Sequence, residues 1–287
     1  MSDLWDRQVE FTNKVVLKKD KNIDDFTSVD RVKWTKEYLL NLQSEMTEVL
    51  EEMSWRYHKK EIFDVFELTN LYIELIDIQK YLWGLMRIWD MSESKFREIF
   101  EMKSYVVEKL WDQDFELEGK ETQEACIIDI DGVLNYYPQC FLDWGLEQGV
   151  NLGEKPELKL EFKRLYRSSG AKRFIPINYE SVTTLRELKK RYVIVLLTDR
   201  PHSQIKRIVF DTYKWLDDNN IYYDFLFWSF GHSKASILRR VPNIKFIIDD
   251  SEKTCREFSD IGIKAYWFNG DCSYDNIVSI RSLKEIE

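Results

Sequence analysis

Proline and glycine are scarce in this chain of 287 residues, five and ten in all, and the first 113 residues contain no proline. So little punctuation leaves no room for long flexible linkers. Cysteine is equally sparse: Cys126, Cys140, Cys255 and Cys272 fall without C-x-x-C or zinc-type spacing, which excludes a disulfide scaffold and a zinc finger. Positive charge is also short. Lys and Arg number 42 against 51 Asp and Glu, a net charge of −9, and a general nucleic-acid binder needs clustered cations, so no stable nucleic-acid complex is expected. No apolar run approaches a membrane span, and the opening MSDLWDRQVEF lacks the basic-then-apolar pattern of a signal peptide. The expectation is a reduced, cytoplasmic, soluble protein with no membrane partner. What is abundant is core material: 44% hydrophobic residues, ten of them Trp, suffice for two domains of ordinary size.

The two halves read differently. Residues 1–113 show apolar residues at helical spacing over 29–57, 62–89 and 93–111, which predicts an all-helical bundle. Thr27 or Ser28 can cap the first of these segments, with Asp30 in its first turn; Ser92 caps the third without an acid three residues on. A polar, acidic stretch, DQDFELEGKETQE at 112–124, supplies the linker (114–124). From 125 to 287 the pattern changes to short β-rich runs at 125–130, 192–197, 223–228, 244–248 and 263–268. Helical stretches at 179–190, 203–219, 234–240 and 252–261 separate most of them. Alternation of this kind predicts a parallel sheet with helices on both faces. No internal repeat is present.

Chemistry concentrates at the ends of the predicted strands, where ligands bind in open α/β sheets. The run ACIIDIDGVL ends in Asp129 and Asp131, followed by Gly132, which permits a sharp turn. An acidic turn is the plain reading of D-x-D-G alone, but three further signals follow at later strand ends. LLTDRP offers the Thr198 hydroxyl, GHSK places Lys234 at the start of a helix, and FIIDD supplies Asp249 and Asp250 for an oxygen-rich metal site with Asp129. Together these four motifs closely resemble those of the haloacid dehalogenase-like (HAD) phosphatases over residues 125–270. The resemblance implies a Rossmannoid sheet, with Asp129 as the nucleophile forming an aspartyl-phosphate and Asp131 as acid and base. Thr198 and Lys234 would hold phosphoryl oxygens. Mg²⁺ would be held by Asp129, Asp249 and the Asp131 backbone carbonyl, with Asp250 as a ligand or one step behind it.

Residues 135–179 form an insert longer than an ordinary βα connection. Its Lys163, Arg164, Arg167, Lys172 and Arg173 are either a solvated basic face or a small cap facing an anionic substrate. The segment DTYKWLDDNNIYYDFLFW resembles the phosphatase domain of polynucleotide kinase–phosphatases and related nucleotide phosphatases, which implies nucleotide phosphates.

In the helical half, Glu45 and Glu48 stand three apart on one helix, and Glu74 and Asp77 three apart on the next. Packed antiparallel, these helices bring four carboxylates together to hold Mg²⁺. Pairs like the first arise by chance in an acidic chain. The second lies within LYIELIDIQKYLWGL, expected to be buried, where carboxylates need partners or metal. The pattern resembles the E-x-x-E … E-x-x-D signature of the all-α nucleoside triphosphate pyrophosphohydrolases (MazG-like and dimeric dUTPase-like). That resemblance implies Lys103 and Lys109 as phosphate contacts, Trp55 and Tyr57 as residues that stack on a base or pack in the core, and a homodimer or tetramer. Jointly, the resemblances imply a bifunctional hydrolase. A (d)NTP such as dUTP would be cleaved to (d)NMP and pyrophosphate, and the (d)NMP would then be dephosphorylated to the nucleoside. The alternative is a polynucleotide 3′-phosphatase or nucleotide phosphatase whose helical half is a non-catalytic nucleotide-binding or dimerisation module.

Overall fold

The computed structural model describes residues 2–52, 68–115, 123–241, 243–271 and 274–286. The chain forms two compact units, Met1–Glu101 and Met102–Glu287, with helices first and then a six-stranded parallel sheet with helices. Among the described residues no helix is long and apolar enough to cross a membrane.

The first unit contains α1 (Ser2–Lys19), α2 (Ser28–Glu52), α3 (Leu68–Ile88) and the start of α4 (Glu93–Phe115). Thr27 is the cap of α2. Its hydroxyl accepts from the Asp30 amide, while the Asp30 carboxylate accepts from the Thr27 amide at 2.8 Å. This is the reciprocal arrangement that satisfies the first free amides of a helix. Ser92 caps α4 alone, accepting from the Lys95 amide. A small core of Val16, Ile23, Phe26, Trp34, Tyr38 and Ile88 ties α1, α2 and α3 together. Gly84 is needed there, because a Cβ would enter the Tyr38 ring.

The apolar composition of α3 predicts burial, yet Tyr72, Ile73 and Ile76 are exposed by more than half. Glu74 and Asp77 are half-buried. The reason is helical phase: positions 74, 77, 78, 81, 85 and 88 recur at three- and four-residue steps on one face, and 72, 73 and 76 fall on another.

Within the second unit, the last turns of α4 pack on α8 (Arg207–Asp218). Tyr105 donates to Asp217 and meets Phe210 edge-on. The compact units therefore divide inside α4, earlier than the boundary at 113 read from sequence. The sheet comprises β1 (Ala125–Ile128), β2 (Val193–Thr198), β3 (Phe225–Trp228), β4 (Ile244–Asp249), β5 (Lys264–Phe268) and β6 (Ile277–Ile280). Their spatial order is β3-β2-β1-β4-β5-β6, all parallel. β1 lies between β2 and β4, so chain direction across the sheet reverses beside it, at the switch point where ligand crevices form.

Successive residues of each strand point to opposite faces. Cys126, Ile128, Ile194 and Leu196 pack against α7 (Tyr179–Leu188) and α8, with Trp215 fully buried. Ala125, Ile127, Val195 and Ile247 pack against α9 (Glu252–Ser259) and the 3₁₀ helix Lys234–Arg239. Each such buried branched side chain contributes about 1.5–3 kcal/mol, which explains continuous apolar strands where both faces are covered. Residues 135–178 carry α5 (Gln139–Glu147) and α6 (Lys159–Ser169) and have their own core of Phe141, Leu152, Tyr166 and Ile175.

Candidate active site

Strand register places the acids. Ile128 pairs with Ile248, and the Asp129 amide donates to the Ile248 carbonyl at 2.9 Å, so Asp129 and Asp249 emerge side by side from adjacent strands. Both are buried, 7% and 3% exposed. Lys234, whose helix is capped by Ser233, reaches across to both, 2.8 Å from Asp129 and 2.7 Å from Asp249. The Ser251 amide donates to the other Asp249 oxygen at 2.9 Å. Asp250 follows directly, with its carboxylate against Gly132. Here glycine is required twice over: φ is +91°, and a Cβ would strike that carboxylate.

Asp129, Asp249 and Asp250 each bring an oxygen within 4.8 Å of the others. Three carboxylates against one ammonium leave two negative charges, which suits a divalent cation with oxygen ligands. The strain of holding them together is visible in their ionisation. Burial, and beyond it the Asp249 and Asp250 charges, push the Asp129 carboxyl up to about 8 despite Lys234. Lost hydration and the Asp249 charge push Asp250 up to about 7. A proton must leave each for a cation to bind. Affinity for a divalent cation at these acids should therefore climb between about pH 5 and 8 and level off above. Calorimetry in buffers of different ionisation heat, in a Glu74→Gln background to silence the helical acids, would report that proton release. Affinity unchanged between pH 6 and 9 would count against the metal site.

Asp131 is expected at the metal through its backbone carbonyl alone, and its carboxylate is not among the clustered acids; it is bound by cations. Arg200 forks onto it, Nη2 to Oδ1 at 2.6 Å and Nε to Oδ2 at 3.1 Å. Lys172 donates to Oδ2 at 2.6 Å and Asn135 to Oδ1 at 3.0 Å. A carboxylate has about four lone-pair positions, and all are taken. Burial opposes its charge, but Arg200 and Lys172 prevail and hold the carboxyl far below the ordinary range. Lys172 and Arg200 are 1% and 2% exposed. Lys172 stands 3.8 Å over the Tyr137 ring, and Arg200 also donates to Thr212 at 2.9 Å.

The basic residues of the insert meet different fates. Arg167 lines the same cavity, of about 270 Å³, as Asp129, Asp131, Thr198, Lys234 and Asp249, and Lys163 joins it there. Lys172 is turned inward and donates to Asp131 at 2.6 Å. Arg173 is tied to Asp218 at 3.0 Å. Arg164 is exposed and does not line the cavity. Thr198 is buried at the strand end and accepts from the Arg200 amide. The LLTDRP run marks its threonine at a strand end, whereas no local pattern marks Arg200, Asn135 or Tyr137 as partners of this site.

In the helical unit, Glu45 and Glu48 of α2 converge with Glu74 of α3 to within 4.8 Å. Partial burial and then the neighbouring acids, Glu48 foremost, raise Glu45, and the same causes raise Glu74. Asp77 bonds Lys80 at 2.8 Å and stands outside that trio. Beside the acids a cavity of about 550 Å³ is walled by Phe11, Trp34, Tyr38 and Tyr81, with Glu45 and Asp77 at its edge. Lys109 is engaged by Asp217 at 2.8 Å and Lys103 is exposed; both belong to the second compact unit. Trp55 and Tyr57 lie outside the described residues.

No protein-family model matches this chain, and no curated protein matches it.

Proposed function

We propose that the second unit is a divalent-cation-dependent phosphatase of nucleotide phosphates with the HAD arrangement. The observation that carries this reading is the convergence of Asp129, Lys234, Asp249 and Asp250 on one cavity at the switch point of a parallel sheet. Asp129, Asp249 and Asp250 would hold the cation, Mg²⁺ by preference for oxygen donors, which when bound neutralises charge on the transferring phosphoryl group. An Asp129 oxygen attacks phosphorus; a new O–P bond forms, the ester P–O bond breaks, and the leaving oxygen takes a proton. Lys234 and Thr198 hold the phosphoryl oxygens. Asp131 would relay that proton, with the Lys172 ammonium hydrogen-bonded behind it as the source. Water then attacks the phosphorus, the Asp129–phosphate bond breaks, and the proton released by water returns by the same route. Because all four lone-pair positions of Asp131 are occupied, one donor must let go during turnover. Lys172, carried by the insert and not by the sheet, is that donor.

A second reading concerns the helical unit, and the Glu45, Glu48 and Glu74 convergence beside an aromatic-walled cavity favours it. There a nucleoside triphosphate would be cleaved to a monophosphate and pyrophosphate, and the monophosphate is a phosphomonoester, the kind of substrate the second unit takes. The exposed Tyr72, Ile73 and Ile76 support self-association through this unit.

Mass-spectrometric identification of products from a panel of ribo- and deoxynucleotides with Mg²⁺ tests both readings. Wild type should yield nucleoside, Asp129→Asn should stop at the monophosphate, and Glu74→Gln should leave triphosphate intact. Phosphate release that survives Asp129→Asn overturns the first reading; triphosphate consumption that survives Glu74→Gln overturns the second.

A further inference from the structure

The catalytic cavity has two electrical poles. At one, three acids and Lys234 leave a deficit that one divalent cation balances, and Thr198 and Lys234 suffice to hold a transferring phosphoryl group. At the other, Lys172 and Arg200 are taken up by Asp131. Lys163 and Arg167 remain. They stand one turn apart on α6, half-buried on the cavity wall, and neither makes an ion pair among the described residues. Lys159, another turn back, continues the row on the same face. Like charges at this spacing repel, and partly dehydrated charges without partners are unfavourable, so the fold gains nothing from them. Their neighbours Arg164 and Arg173 differ in kind, one facing solvent and one paired with Asp218.

We propose that Lys163 and Arg167 bind a second phosphate of the substrate, distinct from the one transferred. The substrate class is then a nucleotide bearing another phosphate, either a nucleoside bisphosphate or the phosphorylated end of an oligonucleotide. This rests on the phosphatase reading and narrows its substrate; monophosphates remain acceptable but bind less well.

Steady-state kinetics on nucleoside 5′- and 3′-monophosphates, the 3′,5′-bisphosphate and a short 3′-phosphorylated oligonucleotide provide the test. For wild type, kcat/KM for the bisphosphate should exceed that of either monophosphate by about tenfold or more, mainly through KM. The Lys163→Gln/Arg167→Gln double variant should bring that ratio to within about twofold. A further gain for the oligonucleotide, with a steeper fall in added salt, would identify a backbone phosphodiester as the second group. Rates on bisphosphate and oligonucleotide that agree would identify a small nucleotide. The proposal is overturned if wild type shows no preference, or if the double variant keeps the ratio while losing overall rate. If wild type releases phosphate from nothing, p-nitrophenyl phosphate included, the phosphatase reading itself fails. Calorimetric dissociation constants for the bisphosphate and the monophosphates then decide the second-phosphate site separately, equal values overturning it.

Discussion

Asp129→Asn should lower phosphate release by at least about three orders of magnitude, equivalent to about 4 kcal/mol of activation barrier, without weakening the fold. An amide cannot form the acyl-phosphate bond, whereas it fills the same space between β1 and β4. The stability half of the prediction follows from ionisation. Burial and the adjacent acids raise the Asp129 carboxyl to about 8 in the folded chain. A carboxyl raised on folding gives stability that is fully present below its unfolded value, near 4, and lost as pH climbs toward 8. At neutral pH without metal, holding the Asp129 carboxyl protonated therefore costs stability. The Asn variant should unfold at the same urea concentration or a higher one, while Lys234 keeps its contact with Asp249. Loss of rate together with equal or better stability separates a chemical role from a structural one. An Asn variant that retains a tenth of wild-type activity would remove Asp129 as the nucleophile.

Asp129, Thr198, Asp249 and Asp250 were legible in the sequence because each sits at or beside the end of an apolar run, and Lys234 because it starts the helix that follows one; parallel strands bring such ends together at one edge. Local pattern and long-range placement coincide there. The clamp on Asp131 is different. Lys172 and Arg200 lie 41 and 69 residues from it, on a 3₁₀ turn of the insert and on the loop after β2, and no local pattern announces that they meet. One basic run therefore hides four environments: Lys163 and Arg167 on the cavity wall, Arg164 in solvent, Lys172 in the interior and Arg173 on Asp218. In α3 apolar composition predicts burial without saying which side of the helix faces the bundle. Its phase presents Glu74 to α2 and leaves Tyr72 and Ile73 exposed. β6 escaped for a simpler reason. Ile277–Ile280 is four residues long with Val278 and Ser279 open, too little apolar length to distinguish a strand from a loop.

The clamp also makes Asp131→Ala the most destabilising single change expected near the site, at about 3–5 kcal/mol for the second unit. Truncation leaves Arg200 and Lys172 facing each other in the interior without their shared counter-charge. Lys172 can respond by losing its proton, since burial already draws it down to about 8 with Asp131 still opposing that shift. Arg200 cannot, so its guanidinium stays charged and partnered only by Thr212 among its side-chain bonds. Two consequences separate this account from a generic loss of packing. First, Asp131→Ala combined with Lys172→Met should be less destabilised than the single variant, because one of the two stranded charges is gone. Second, the deficit should persist into acid. Asp131 is held far below the ordinary carboxyl range on folding, so its contribution is present above about pH 4 and disappears only well below it. Urea unfolding of wild type and both variants at pH 4.5, 7 and 9 supplies the comparison. The gap should be largest at pH 4.5 and narrow as pH rises to 9, because without Asp131 the Lys172 ammonium sheds its proton below about 8. A deficit below about 1 kcal/mol at pH 7 would mean that the carboxylate is not what keeps these cations in place.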